Sequence, residues 1–237
     1  MEVERRWRRG RLVPALYDFA VEHERLARLA GRMMWGADVS PLYRAFADPE
    51  GLPPGSAVLD VPCGGGLALR GLPPGVRPPS QETGPPPGAG RPSATGVRYV
   101  AADLSPVMLG RARAEAARRG VRVAFAQASV DRLPFPAGVF DLCVTYNGLH
   151  CFPDPASAVA EMARVLRPSG VLRGTSVVTG AGVRQDALIA LFRRRGDFGA
   201  PGSADDLRGW LDGAALADVR VEPSGAVAFF TAAKPPA

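Results

Sequence analysis

The segment Val58-Leu59-Asp60-Val61-Pro62-Cys63-Gly64-Gly65-Gly66 joins an apolar run, a carboxylate and three successive glycines. A glycine turn of this kind bends the backbone tightly and brings its N–H groups up to a polar or anionic ligand. Taken alone, it is also what any tight strand-to-helix turn uses. A second carboxylate, Asp103 in Val100-Ala101-Ala102-Asp103-Leu104-Ser105, stands 39 positions after Gly64, or 18 once the 21-residue Pro/Gly-rich stretch 76–96 is set aside. A separation of about 20 suits a carboxylate that meets the hydroxyls of a ribose held over the turn. The competing reading of Asp103, a charge complementing a helix N-terminus, is weaker because Ser105 is the better N-cap.

Further along, Tyr146-Asn147-Gly148-Leu149-His150-Cys151-Phe152-Pro153-Asp154 follows an apolar run. Its His150 is a candidate general base, since an unperturbed imidazole titrates near neutrality; a histidine that merely lines or supports a pocket is the plainer alternative. Cys63, Cys143 and Cys151 are odd in number and lack metal-ligand spacing, which argues against a disulfide scaffold and against a metal site. Cys63 and Cys151 are expected at the ends of neighbouring strands, but two thiols are thin support for a thiophilic substrate.

These residues need elements to position them. Ala57–Val61, Val97–Ala102, Val121–Ala126, Val139–Tyr146 and Val171–Val178 read as five strands, with helices over about 106–119 and 155–166 between them. Such alternation implies right-handed crossovers and a parallel sheet covered on both faces. After a helix over 205–217, Val219–Glu222 and Ala226–Thr231 read as a hairpin turning at Pro223-Ser224-Gly225. The expected fold is α/β: a doubly wound, mostly parallel seven-stranded Rossmann-like sheet with a C-terminal antiparallel hairpin and an N-terminal helical cap. Residues 1–50 form the arm and cap, where His23 reads as packing and Trp7, Tyr17, Trp35 and Tyr43 as core or acceptor-pocket aromatics, and residues 51–237 form the main domain. The stretch 76–96 reads as a disordered or polyproline-like insertion at the amino ends of the strands, away from the ligand-binding edge. Residues 182–200, helical and then glycine-rich, are placed to act as a lid.

Composition sets the outer bounds. With 237 residues, 46% of them hydrophobic, the chain can build one sizeable core. The net charge of +6 comes from 29 basic and 23 acidic residues, and Lys234 is the single lysine. Half of that excess sits in the first eleven residues, so the body of the chain lacks the basic, aromatic-interleaved stripe of a nucleic-acid binder. No apolar run reaches the 18 or so residues of a membrane span, and the reduced cysteines fit a cytoplasmic setting.

Two nucleoside cofactors fit the glycine turn and Asp103: a nicotinamide dinucleotide and S-adenosylmethionine. A dinucleotide fingerprint calls for Gly or Ala at the sixth position of Gly64–Leu69, where Leu69 stands. At this point the chain resembles the class I S-adenosylmethionine-dependent methyltransferases of the type 11, ubiquinone-biosynthesis-like group. The resemblance runs from about Ser56 to Val178 through Val58–Gly66, Val100–Met108, Gln127–Phe135, Phe140–Asp154 and the turn Arg164-Val165-Leu166-Arg167-Pro168-Ser169-Gly170. It implies that Asp60, Val61, Pro62, Cys63, Gly64, Gly65 and Gly66 surround the methionine moiety and that Asp103 holds the ribose. It further implies that Leu104 and Met108 pack on the adenine, with Ala128 and Ser129 at its edge and Asn147 near the sulfonium. Two departures stand out: Pro62 replaces the usual first glycine and has no N–H, and Ser129 stands where an aspartate commonly meets the adenine amino group. The implied activity is in-line methylation of a small-molecule acceptor without a metal. RNA or protein methylation, and a non-catalytic module that binds an adenosyl cofactor, are the alternatives.

Overall fold

The computed structural model describes residues 24–42, 52–53, 55–72 and 97–237. The expectations for the basic arm, His23, Trp7, Tyr17, Tyr43 and the stretch 76–96 lie outside the described residues.

A helix α1 (Glu24–Ala30) runs into one π-helical turn, Gly31–Trp35. The sheet then begins with β1 (Ala57–Asp60), followed by a 3₁₀ turn over Leu67–Gly71, β2 (Arg98–Asp103), α2 (Pro106–Arg119) and β3 (Ala124–Gln127). Next come β4 (Phe140–Tyr146), a 3₁₀ turn Leu149–Cys151, α3 (Pro155–Val165), β5 (Leu166–Val177), α4 (Val183–Arg194), α5 (Ala204–Gly213), β6 (Ala217–Ser224) and β7 (Val227–Ala233). The seven strands lie in the order β3-β2-β1-β4-β5-β7-β6. β1 to β5 are parallel and β7 runs antiparallel to both β5 and β6.

Local signals account for the helix ends. Ser105 caps α2 by accepting the Met108 N–H at 3.4 Å, Pro106 opens the helix, and Gly120 closes it at φ +65°. Asp154 and Pro155 do the same for α3, and Ser203 with Asp206 forms a capping box on α5. Alternation along the strands splits the core. Leu59, Val61, Val100, Ala102, Cys143 and Leu172 face α3 and α5, whereas Val58, Tyr99, Ala101, Leu142 and Val144 face α2 and Leu69.

Several boundaries differ from the sequence reading: the helix expected over 205–217 ends at Gly213, and β6 has already begun at Ala217. β3 starts at Ala124, not Val121, which instead packs on the end of α2. β5 starts at Leu166: Phe140 pairs with Leu166 and Leu142 with Val171, so the pairing slips across Arg167–Gly170, and the turn expected there is absorbed into the strand. The hairpin turns at Gly225-Ala226, because Pro223 and Ser224 are still paired with Ala228 and Val227. β6 is an edge strand, where a proline's missing N–H costs no ladder bond.

Candidate functional site

Strand order reverses between β1 and β4, and a crevice forms just beyond their carboxyl ends, as open α/β sheets do at such a switch point. It holds a cavity of about 130 Å³. Of the residues singled out from sequence, Val61, Pro62, Gly64, Asp103, Leu104, Met108, Ala128, Ser129, Asn147 and His150 line it.

Asp103, the last residue of β2, is the polar anchor. One carboxylate oxygen accepts the Gly64 N–H at 2.9 Å and the other the Ser105 N–H at 2.8 Å. Gly64 has φ +52° and open space where a Cβ would stand, so a ligand can approach its backbone closely. Gly66 has φ +87°, and a Cβ there would lie 2.9 Å from Leu69 Cδ1 and 3.1 Å from Ala112 Cα. Its role is to let the turn pack against α2.

Leu104, Met108, Ala128 and Val130 make one apolar wall. The loop that carries it is tied to α3: Glu161 accepts the Leu133 N–H at 2.7 Å and Arg164 donates to the Phe135 carbonyl at 2.9 Å. Asp131 sits on the rim of this wall, and the Ser129 hydroxyl donates to its carboxylate at 3.2 Å. An acidic group is thus present two residues beyond the position where the sequence shows serine.

The opposite wall comes from the residues after β4. Asn147, at φ +55°, donates its N–H to the Thr175 carbonyl at 3.0 Å, and its side-chain oxygen accepts the Thr175 hydroxyl at 3.0 Å. Phe152 and Phe198 complete this wall. Phe198 comes from a strap after α4 that is stitched down by Gly199 N–H to the His150 carbonyl and Ala200 N–H to the Phe152 carbonyl, both at 3.0 Å. Trp35 does not line the cavity but stacks behind it, its ring 6.1 Å from Phe198 and 6.0 Å from Phe192.

Asp60, Cys63, Gly65 and Gly66 do not line the cavity. Asp60 shares strand parity with Val58, so its side chain enters the α2-side core and accepts the Tyr99 hydroxyl at 3.0 Å. Burial pushes its carboxyl up to about 8, offset in part by that bond. Burial likewise holds Cys63 and Cys151 as thiols, with Cys151 pushed up to about 12. The His150 ring is buried, its Nδ1 accepts the Val177 N–H at 3.1 Å, and burial lowers its pKa to about 3.

Pro62, joined to Val61 by a cis peptide, fills the position of the first glycine. Its ring lies against Gly148, where a Cβ would come within 2.2 Å of Pro62 Cδ. Asp131 and Phe198 were not singled out from sequence; Phe198 reaches the cavity only through the tertiary path of the strap. No group of three or more metal-ligating side chains occurs among the described residues, and none of the described helices is long and apolar enough to cross a membrane.

The strand order, the glycine turn and the carboxylate closing β2 are those of the class I S-adenosylmethionine-dependent methyltransferase fold. Residues 82–173 match the type 11 family model described as a methyltransferase domain, a span that holds Asp103 and His150 but not the glycine turn. Over 79 residues the chain is 43% identical to the demethylmenaquinone methyltransferase of Thermus thermophilus, covering 33% of this chain and 36% of that protein. Over 134 residues it is 30% identical to the ubiquinone biosynthesis O-methyltransferase of Aromatoleum aromaticum, covering 56% of this chain and 49% of that protein. The matches thus span about half or less of the length of these curated relatives. A solved S-adenosylmethionine-dependent methyltransferase from Thermotoga maritima, described as a possible histamine N-methyltransferase, shares the fold with a TM-score of 0.60 over 98% of both chains at 16% identity.

Proposed function

We propose that the chain transfers a methyl group from S-adenosylmethionine to a small-molecule acceptor, in line, releasing S-adenosylhomocysteine. The observation that carries this reading is Asp103: a carboxylate at the end of β2 that accepts two backbone N–H groups and lines the cavity beside the glycine turn. A ribose diol asks for that arrangement, and the apolar wall of Leu104, Met108 and Val130 suits an adenine face. Asp131 on the rim supplies an acceptor for an adenine amino group, which compensates for serine at 129. The glycine turn offers backbone at Gly64 for close approach of the amino-acid end.

When bound, the cofactor supplies a methyl group already activated by its sulfonium. The protein's part is therefore chiefly alignment and exclusion of water. Asn147, held by Thr175, and the Phe152 and Phe198 wall shape the side from which an acceptor approaches. The methyltransferase names of the curated relatives, one of them an O-methyltransferase of ubiquinone biosynthesis, support a small acceptor over RNA or protein.

Calorimetric titration with S-adenosylmethionine and S-adenosylhomocysteine, with NAD as control, tests the cofactor. Saturable binding of the two adenosyl compounds and none of NAD is expected. Labelled-methyl transfer to phenols, catechols, amines and thiols, set beside bulk RNA and protein, tests the acceptor. Binding without transfer to any of these would favour a non-catalytic module.

A further inference from the structure

The side chain placed to take a proton from an acceptor is His150, and its surroundings give it the opposite task. Its Nδ1 accepts the Val177 backbone N–H at 3.1 Å. An amide N–H can only donate, so Nδ1 must present its lone pair and the proton of the neutral ring must sit on Nε2. The ring lines the cavity, and among the described residues no protein acceptor takes the Nε2–H. The ring cannot swing freely, because Phe198 packs edge-on with centroids 4.5 Å apart and Gly199 bonds the His150 carbonyl.

We propose that His150 serves the cavity as a fixed hydrogen-bond donor through Nε2–H and takes no proton from the acceptor. Protonation at Nδ1 would break the Val177 bond and bury a charge, and burial already holds the imidazole well below its ordinary value. The ionisable groups nearest it do not offset this: Cys151 of its own turn is a thiol, and Asp197 on the strap is paired with Arg195 at 3.2 Å. Under the methyl-transfer reading, on which this consequence rests, the acceptor gives an oxygen or nitrogen lone pair to Nε2–H. The acceptor atom bonds the methyl carbon, the carbon–sulfur pair stays on sulfur, and the acceptor's own proton leaves to water. The acceptors served best are those nucleophilic without an enzyme base.

The test is nitrogen NMR of the full chain with ¹⁵N-labelled histidine. There are two histidines, His23 and His150, so His150→Gln assigns the spectrum. The expected result is a ring protonated at Nε2 and unchanged between about pH 9 and pH 5, with its Nε2 resonance moving when S-adenosylhomocysteine is added. A proton on Nδ1, or a midpoint near neutrality, overturns the proposal in favour of a general base. An Nε2 resonance unmoved by a ligand that calorimetry shows to be bound overturns it too. Failure of S-adenosylhomocysteine to bind at all would sink the methyl-transfer reading, while the tautomer and titration would still decide the role of His150.

Discussion

Replacing Asp103 with alanine is the most direct test of the cofactor site. The wild-type carboxylate holds two backbone N–H groups, at 2.9 Å from Gly64 and 2.8 Å from Ser105, and under the proposed function also accepts two ribose hydroxyls. Hydrogen bonds to a charged group contribute about 1.5–3 kcal/mol each, so losing both ribose contacts removes roughly 3–6 kcal/mol before water takes their place. Allowing for that replacement leaves about 2–4 kcal/mol, or roughly 30- to 1000-fold in Kd. Asp103→Asn sharpens the test. The amide keeps the shape but turns one acceptor into a donor, which must then face the N–H of Gly64 or of Ser105. It should bind S-adenosylhomocysteine no better than Asp103→Ala, although the side chain keeps its size and shape. Calorimetry measures Kd, and circular dichroism with thermal melting checks that the sheet persists. A folded Asp103→Ala protein that binds within about threefold of wild type would refute the placement of the ribose on this residue.

Four other outcomes follow from the geometry. Gly66→Ala should lower stability by about 1–3 kcal/mol, because φ is +87° and Ala112 leaves no room. Gly64→Ala, at φ +52° over open space, should melt closer to wild type and instead weaken cofactor binding. For Asp60, the folded pKa of about 8 lies above the ordinary carboxyl value of 3.8, so its contribution is fully present below the lower value and lost as pH rises towards the upper one. Wild type should therefore lose melting temperature relative to Asp60→Asn between those values, and parallel curves would show that Asp60 is ionised throughout. Deleting residues 76–96, whose flanking Leu72 and Val97 pack on the core away from the cavity, should leave S-adenosylhomocysteine affinity within about threefold; a tenfold loss would place that stretch at the site.

Much of this was legible because short-range chemistry wrote it. α2 falls on the expected residues since Ser105-Pro106 and Gly120 are strong start and stop signals, and Asp103 stood out from spacing once the inserted stretch was set aside. The start of β5 was hidden because Arg-Pro-Ser-Gly has the composition of a turn, and only the pairing with β4 shows the chain slipping register there. Asp60 was assigned to the ligand by motif position, yet strand parity with Val58 already put it on the other face. Asp131 was passed over because comparison with a family pattern fixes attention on one position, whereas a loop can deliver the same chemistry two residues later. Phe198 carries no local signal; its place depends on backbone bonds between segments nearly fifty residues apart in sequence.

The contact of Pro62 with Gly148 ties together two positions far apart in the chain. Any side chain at 148 is barred while the ring stands at 62, but it becomes admissible once the ring is gone. Loss of the ring at 62 meets no bar from Gly148, since it takes atoms away from that contact. The order of change is thus one-way: drift at 148 must wait for drift at 62, and once 148 has gained a side chain the return of proline is closed. Protein engineers recombining this turn with the β4 loop of a relative will meet the same rule, and the two segments should be exchanged as one block.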